Sequence, residues 1–108
     1  MKTLTLSLKR KWFDMIKSGE KKEEYREINR YWIARLVAAM APFTGTVLSF
    51  TDVDRLVFTL GYPKADDAER RLTFNNPRIR IGTGRPEWGA EPGKQYFIIT
   101  WEAQDEVR

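Results

Sequence analysis

The segment Gly19-Glu20-Lys21-Lys22-Glu23-Glu24-Tyr25-Arg26 sets a glycine, a lysine, a glutamate and an arginine at fixed offsets, G-x-K-x-x-E-x-R. Before it, Lys11-Trp12-Phe13-Asp14-Met15-Ile16-Lys17-Ser18 reads as a short amphipathic helix. Gly19 falls where a helix ends in a left-handed residue, a conformation that glycine adopts at little cost. Beyond the turn the chain reads as extended, so Lys22, Glu24 and Arg26 are expected on one strand face. Lys21 is expected to reach that face from the turn. A carboxylate and two or three cations would then converge beside a helix end. Such a cluster can hold an anionic or polar ligand, or tune a lysine for chemistry. A Glu-x-Arg pair in solvent contributes little, so spacing alone leaves a solvated-pair reading open beside the ligand reading.

The rest of the chain bounds the answer. Its 108 residues suffice for one domain with one modest core, and 42% hydrophobic with 31% charged residues is a globular balance. The N-terminal run Met1-Lys2-Thr3-Leu4-Thr5-Leu6 alternates like a strand and lacks the apolar core of a signal peptide, so a cytoplasmic protein with no membrane partner is expected. The sequence has no cysteine and no histidine. That removes disulfides, thiol nucleophiles, a Ser-His-Asp triad and most transition-metal sites, so neither metal nor cofactor is expected. The formal charge of +4 is uneven: residues 1–35 carry 10 basic and 5 acidic side chains, whereas residues 36–108 carry 9 and 10. The positive excess thus lies in the half that carries the motif, and a basic patch suits phosphate.

Read in order, Thr3 to Lys9 is a strand with Leu4, Leu6 and Leu8 inward. Lys9-Arg10-Lys11 sets cations at a helix N-terminus, where the dipole disfavours them, which slightly favours a ligand-facing role over a solvated helix start. Trp12, Met15 and Ile16 have core spacing. Asn29 caps a second helix from Arg30 to Ala41, ended by Pro42, with Ile33, Leu36, Val37 and Met40 as its apolar face and Trp32 beside it. Tyr31 or Trp32 could line a pocket near Glu24, although packing is the commoner fate. Strands follow at Thr46–Thr51 and Arg55–Leu60. The polar loop Gly61–Glu69 reads as the most flexible segment. Extended segments at Arg71–Phe74 and Pro77–Ile81 come next, the second with Arg78 and Arg80 opposite Ile79 and Ile81. The loop Gly82–Lys94 is rich in glycine and proline, but Gly82-Thr83-Gly84 lacks the remaining glycine and the context of a dinucleotide fingerprint. Trp88 in this loop either closes the core or offers a stacking face for a base. Gln95–Trp101 is apolar on both faces, as a central strand would be. Residues after Glu102 read as a frayed tail. The sum is an α+β chain, a small, partly closed β-barrel of about five or six strands with two flanking helices.

Gly19, Lys21, Glu24 and Arg26 match the signature of the ASCH domain family, which is similar in fold to PUA domains. The later run from Arg80-Ile81-Gly82-x-Gly84 through Pro86-Glu87-Trp88-Gly89-Ala90 to Pro92-Gly93-Lys94 resembles a loop of the short, single-domain bacterial and phage members. The resemblance covers nearly all of residues 1–108 and implies one PUA-like domain with a helix-flanked cleft. It also implies an RNA- or nucleic-acid-related role. The expected ligand is RNA or a nucleotide, held by Lys9, Arg10, Lys21, Lys22, Arg26, Arg80 and Trp88. Some small relatives are amidohydrolases acting on acylated cytidine nucleosides, and others have been linked to RNA cleavage. For an enzyme, Lys21, Glu24 and Arg26 are the catalytic candidates. The amidohydrolases, however, carry a threonine at the position of Glu24, and their lysine is the proposed nucleophile. A carboxylate beside Lys21 favours the charged ammonium, a poor nucleophile, while Arg26 and Lys22 push the other way. Glu87 is a loose candidate for the later glutamate those enzymes use. The main expectation is therefore a binding module, with a metal-independent hydrolase as the alternative. A protein-interaction domain is a third reading, favoured if the signature residues prove buried and mutually paired.

Overall fold

A computed structural model describes residues 2–102, so the expected C-terminal tail lies outside the described residues. The elements run β1 (Thr3–Leu8), α1 (Arg10–Lys17), β2 (Glu24–Glu27), α2 (Arg30–Leu36), β3 (Val37–Met40), β4 (Val47–Phe50), β5 (Arg55–Leu60), β6 (Arg71–Asn75), β7 (Arg78–Thr83) and β8 (Gln95–Thr100). Short 3-10 turns cover Ala68–Arg70 and Pro86–Trp88. The chain is α+β. Among the described residues its eight strands form three sheets, ordered β1-β5-β6, β2-β8-β7 and β3-β4, and none closes into a barrel. Both the expected strand count of five or six and the expected barrel closure are therefore corrected. β3 comes from residues read as the end of the second helix, and the other seven strands fall on segments read as strand or extended.

By internal contacts the chain divides into two compact units, each built from separated segments. The first comprises Met1–Lys22, Val53–Arg78 and Thr100–Arg108; the second comprises Glu23–Asp52 and Ile79–Ile99. In unit 1, β1 pairs in parallel with β5, from Thr3 opposite Arg55 to Leu8 opposite Leu60, and β5 pairs antiparallel with β6. The alternation read from sequence is realised, with Leu6 and Leu8 buried and Thr5 and Ser7 exposed. α1 packs on β5 and buries Phe13 and Ile16, so Trp12 and Met15 are only half-buried. The apolar stripe of α1 is thus centred one residue later than the spacing of Trp12 suggested. The rings of Phe58 and Trp101 meet edge-on at 5.0 Å, and Phe74 lies 5.3 Å from Trp101.

Arg71, at the start of β6, donates through Nη1 to the carbonyls of Lys64 (2.7 Å) and Asp67 (2.9 Å). With Nη2 donating to the Pro63 carbonyl at 3.4 Å, one guanidinium gathers three backbone acceptors of the loop expected to be the most flexible. The loop borders an open depression of about 560 Å³, with Lys64, Asp67 and Arg70 on its wall.

In unit 2, β8 lies between β2 and β7, which explains why both of its faces are apolar. β2 runs antiparallel to it, with Glu24 opposite Ile99 and Arg26 opposite Phe97. Asn29 caps α2 as expected, its Oδ1 accepting the Trp32 N–H at 3.0 Å. The helix does not reach Ala41. It stops at Leu36, and Val37 is already extended (φ −106, ψ 127). Ala38, Ala39 and Met40 are good helix formers, yet the strand they form pairs with β4 through Val37, Ala39 and Met40, with register irregularities on either side of Ala39, because β-branched Val37 and Val47 and the turn at Gly45 (φ +70) favour a hairpin. Only Leu36 of the expected apolar helix face is buried. Among the described residues no helix is long and apolar enough to cross a membrane.

Candidate functional site

The motif is divided by the unit boundary: Gly19 and Lys21 belong to unit 1, Glu24 and Arg26 to unit 2. In unit 1 the sequence terminates α1 as its glycine requires. Gly19 is left-handed at φ +86, and its N–H donates to the Ile16 carbonyl at 3.1 Å. The Met15 carbonyl accepts both the Lys21 N–H (2.9 Å) and the Ser18 Oγ (3.0 Å). These bonds fix the backbone of Lys21 one turn beyond the helix. Its side chain is 1% exposed, with Nζ 4.9 Å from the centre of the Trp12 ring. Lys11 Nζ lies 4.8 Å from the same ring. Trp12, read from sequence as core, is thus a half-buried platform for two lysine side chains.

In unit 2, Glu24 and Arg26 share a face of β2, as their spacing of two requires. Arg26 Nη1 donates to Glu24 Oε2 at 2.7 Å and to the Tyr25 carbonyl at 2.9 Å. The side chains of this pair are 16% exposed for Arg26 and 6% for Glu24. Glu24 Oε1 also accepts the Tyr25 N–H at 3.1 Å. Lys22 does not join this face. It precedes the strand and is exposed, so the expected Lys22–Glu24–Arg26 row is corrected to a pair.

A second network occupies the other side of β2. Tyr25 Oη donates to Glu23 Oε1 at 2.8 Å and accepts the Arg85 N–H at 3.0 Å. Arg80 Nη2 donates to Glu23 Oε2 at 2.7 Å. Burial pushes the Tyr25 hydroxyl up to about 12, opposed by the hydrogen bond from the Arg85 N–H and helped by the Glu23 carboxylate. Burial also pushes Glu23 up, but hydrogen bonds from Arg80 and Tyr25, with the charges of Arg80 and Arg85, hold it below its ordinary value. Near neutral pH, Tyr25 is therefore a neutral hydroxyl and Glu23 a carboxylate. The sequence reading missed Glu23, Tyr25 and Arg85. Its available signal was the spacing of two between Glu23 and Tyr25, on the face opposite Glu24 and Arg26.

Trp88 packs half-buried on the cluster of Tyr25, Ala90, Tyr96 and Ile98, with Arg85 Cζ 5.0 Å from its ring centre. Gly84 has no room for a side chain: a Cβ there would lie 2.7 Å from Ala90 Cβ and from the Tyr25 ring. Glu87 is exposed, 3.9 Å from Arg85. At the helix start, Lys9 caps α1 without a side-chain bond, and Arg10 is 3.9 Å from Asp14. Among the described residues no group of three or more Asp or Glu is placed to hold a metal ion.

No family model, curated protein or solved structure matches the chain.

Proposed function

We propose that the chain is an RNA- or nucleotide-binding domain of the ASCH, PUA-like kind that binds through basic residues of the G-x-K-x-x-E-x-R motif. The observation that carries this reading is the repeated placement of a cation over a partly exposed aromatic ring. Lys11 and Lys21 lie over Trp12, Arg26 over Trp32, Arg35 over Tyr31 and Arg85 over Trp88. Paired aromatic and cationic groups suit a ligand that alternates flat bases with phosphates. The Glu24–Arg26 pair adds a second argument. Withdrawing both charges from water costs much of what their attraction returns, so stability alone is a weak reason for the pair. In the binding role Arg26 engages phosphate or a carbonyl. Glu24 accepts a base amino group, since each carboxylate oxygen can take more than one donor.

The test is fluorescence anisotropy with a short labelled single-stranded RNA at low and moderate salt, for wild type, Lys21→Ala and Arg26→Ala. Affinity should fall steeply with salt and by about tenfold or more in Arg26→Ala. Salt-independent binding, or full retention in both variants, overturns the reading. Cleavage of the RNA that survives chelator and disappears in Lys21→Ala would move the assignment to the hydrolase. One observation favours a protein-interaction domain instead: Lys21 and Glu24 are buried, and Glu24 is paired with Arg26. Under that reading the motif only holds structure, and both substitutions lower stability without touching RNA affinity.

A further inference from the structure

We infer that α2 carries a second subsite, an aromatic–arginine track that makes the ligand a single-stranded RNA of several nucleotides rather than a lone nucleoside. The inference rests on the nucleotide-binding reading above. All of its residues lie in unit 2. Arg26, whose guanidinium holds Glu24, has Cζ 5.3 Å from the centre of the Trp32 ring. Trp32 meets Tyr31 edge-on, with centroids 4.9 Å apart at 79°. Arg35 Cζ lies 3.4 Å from the centre of the Tyr31 ring, which is stacking contact. Guanidinium, indole, phenol and guanidinium thus follow one another from the motif outward.

Three features separate this track from ordinary surface decoration. Tyr31 is 54% exposed, so its ring is not spent on the core. Arg35 is anchored as well as stacked, its Nη1 donating to the Tyr31 carbonyl at 3.2 Å. Ordering a long arginine on a surface loses side-chain entropy, and here that loss is taken before any ligand arrives. Finally, the helix sequence Arg-Tyr-Trp-Ile-Ala-Arg-Leu contains no carboxylate, so no acidic residue of α2 competes with phosphate for Arg30 or Arg35. Unstacked RNA bases lie on aromatic rings and on arginine planes, and the phosphates between them seek the arginines.

The experiment compares uridine monophosphate with a labelled oligouridine of about six nucleotides, a length suited to a single stacking groove. In wild type the oligomer should bind more tightly than the mononucleotide. That gain should shrink roughly fivefold or more in Tyr31→Ala and in Arg35→Ala. Tyr31→Phe should keep the gain, because it keeps the ring. Arg35→Lys should not restore it, because an ammonium has no plane to stack. Urea midpoints equal to wild type would show that these exposed substitutions act on binding rather than on folding. Oligomer binding that needs Arg26 but ignores Tyr31 and Arg35, or that Arg35→Lys fully restores, overturns the track and leaves the motif reading standing. Absence of binding to either ligand in wild type overturns the motif reading and the track together.

Discussion

Unit 1 sets Phe58 against Phe74 and Trp101, ring against ring. Unit 2 instead buries Tyr25 and Tyr96, with ring centres 5.7 Å apart, and turns both hydroxyls to work. Tyr25 Oη accepts the Arg85 N–H, and Tyr96 Oη accepts the Glu91 N–H at 2.9 Å. Both donors belong to the glycine- and proline-rich loop that carries Trp88. The ring cluster of unit 1 is therefore held by apolar packing, which is indifferent to pH, whereas the tyrosine pair of unit 2 tethers a loop through polar groups inside its core. A tether of this kind is worth having where the loop must present side chains in a fixed pose, as Arg85 and Trp88 are.

The largest expected effect falls on the apolar side of the contrast. Phe58 is fully buried, so Phe58→Ala should destabilise the protein by about 3–5 kcal/mol in urea unfolding. That loss should be the same across the pH range in which the wild type stays folded. A loss that varied strongly with pH would mean that unit 1 depends on charge after all.

Tyr25→Phe should cost about 1–3 kcal/mol, because it deprives the Arg85 N–H and Glu23 of a partner. Here pH matters, and the sign follows from linkage. Glu23 is lowered in the folded state, so its contribution is present above its ordinary value of 4.5 and is lost as pH falls through the lowered folded value. Tyr25 is raised, so its contribution is full below 10.0 and is lost as pH rises toward about 12. The gap between wild type and Tyr25→Phe should be widest between these limits and narrow at both ends. A gap of constant size in a pH series of urea midpoints would refute the polar tether.

The smallest effect concerns the surface of unit 2. Lys94 Nζ donates to Glu27 at 2.9 Å, and that bond, then the charges of Glu27 and Glu91, raise the lysine against a little desolvation. The Lys94 side chain is 38% exposed and that of Glu27 62%, so this is a surface pair and Lys94→Ala should leave the urea midpoint where it is. A clear drop would place a load on surface charge that the core of unit 2 is argued to carry.

Much of this was legible in the residues. The alternation of Leu4, Leu6 and Leu8, the glycine stop at Gly19, the Asn29 cap and the apolar β8 all follow from local rules of period, handedness and capping. So does the Glu24–Arg26 pair, since a spacing of two on a strand leaves both side chains on one face. Three features were not legible. Ala38, Ala39 and Met40 prefer helix, and only pairing with β4 makes them a strand. Trp12 has core spacing, yet Phe13 takes the core and Trp12 meets two lysines. Tyr25 was read as a spacer within the motif, and its link to Arg85 spans sixty positions of sequence. The sequence by itself thus determined most of the elements, the absence of thiol and imidazole chemistry, and the motif, because these depend on residue type and short-range spacing. Tertiary structure alone decided which strands pair, which aromatic rings stay exposed beneath a cation, and where the tyrosine hydroxyls bond, because each depends on partners that the chain brings together from far apart.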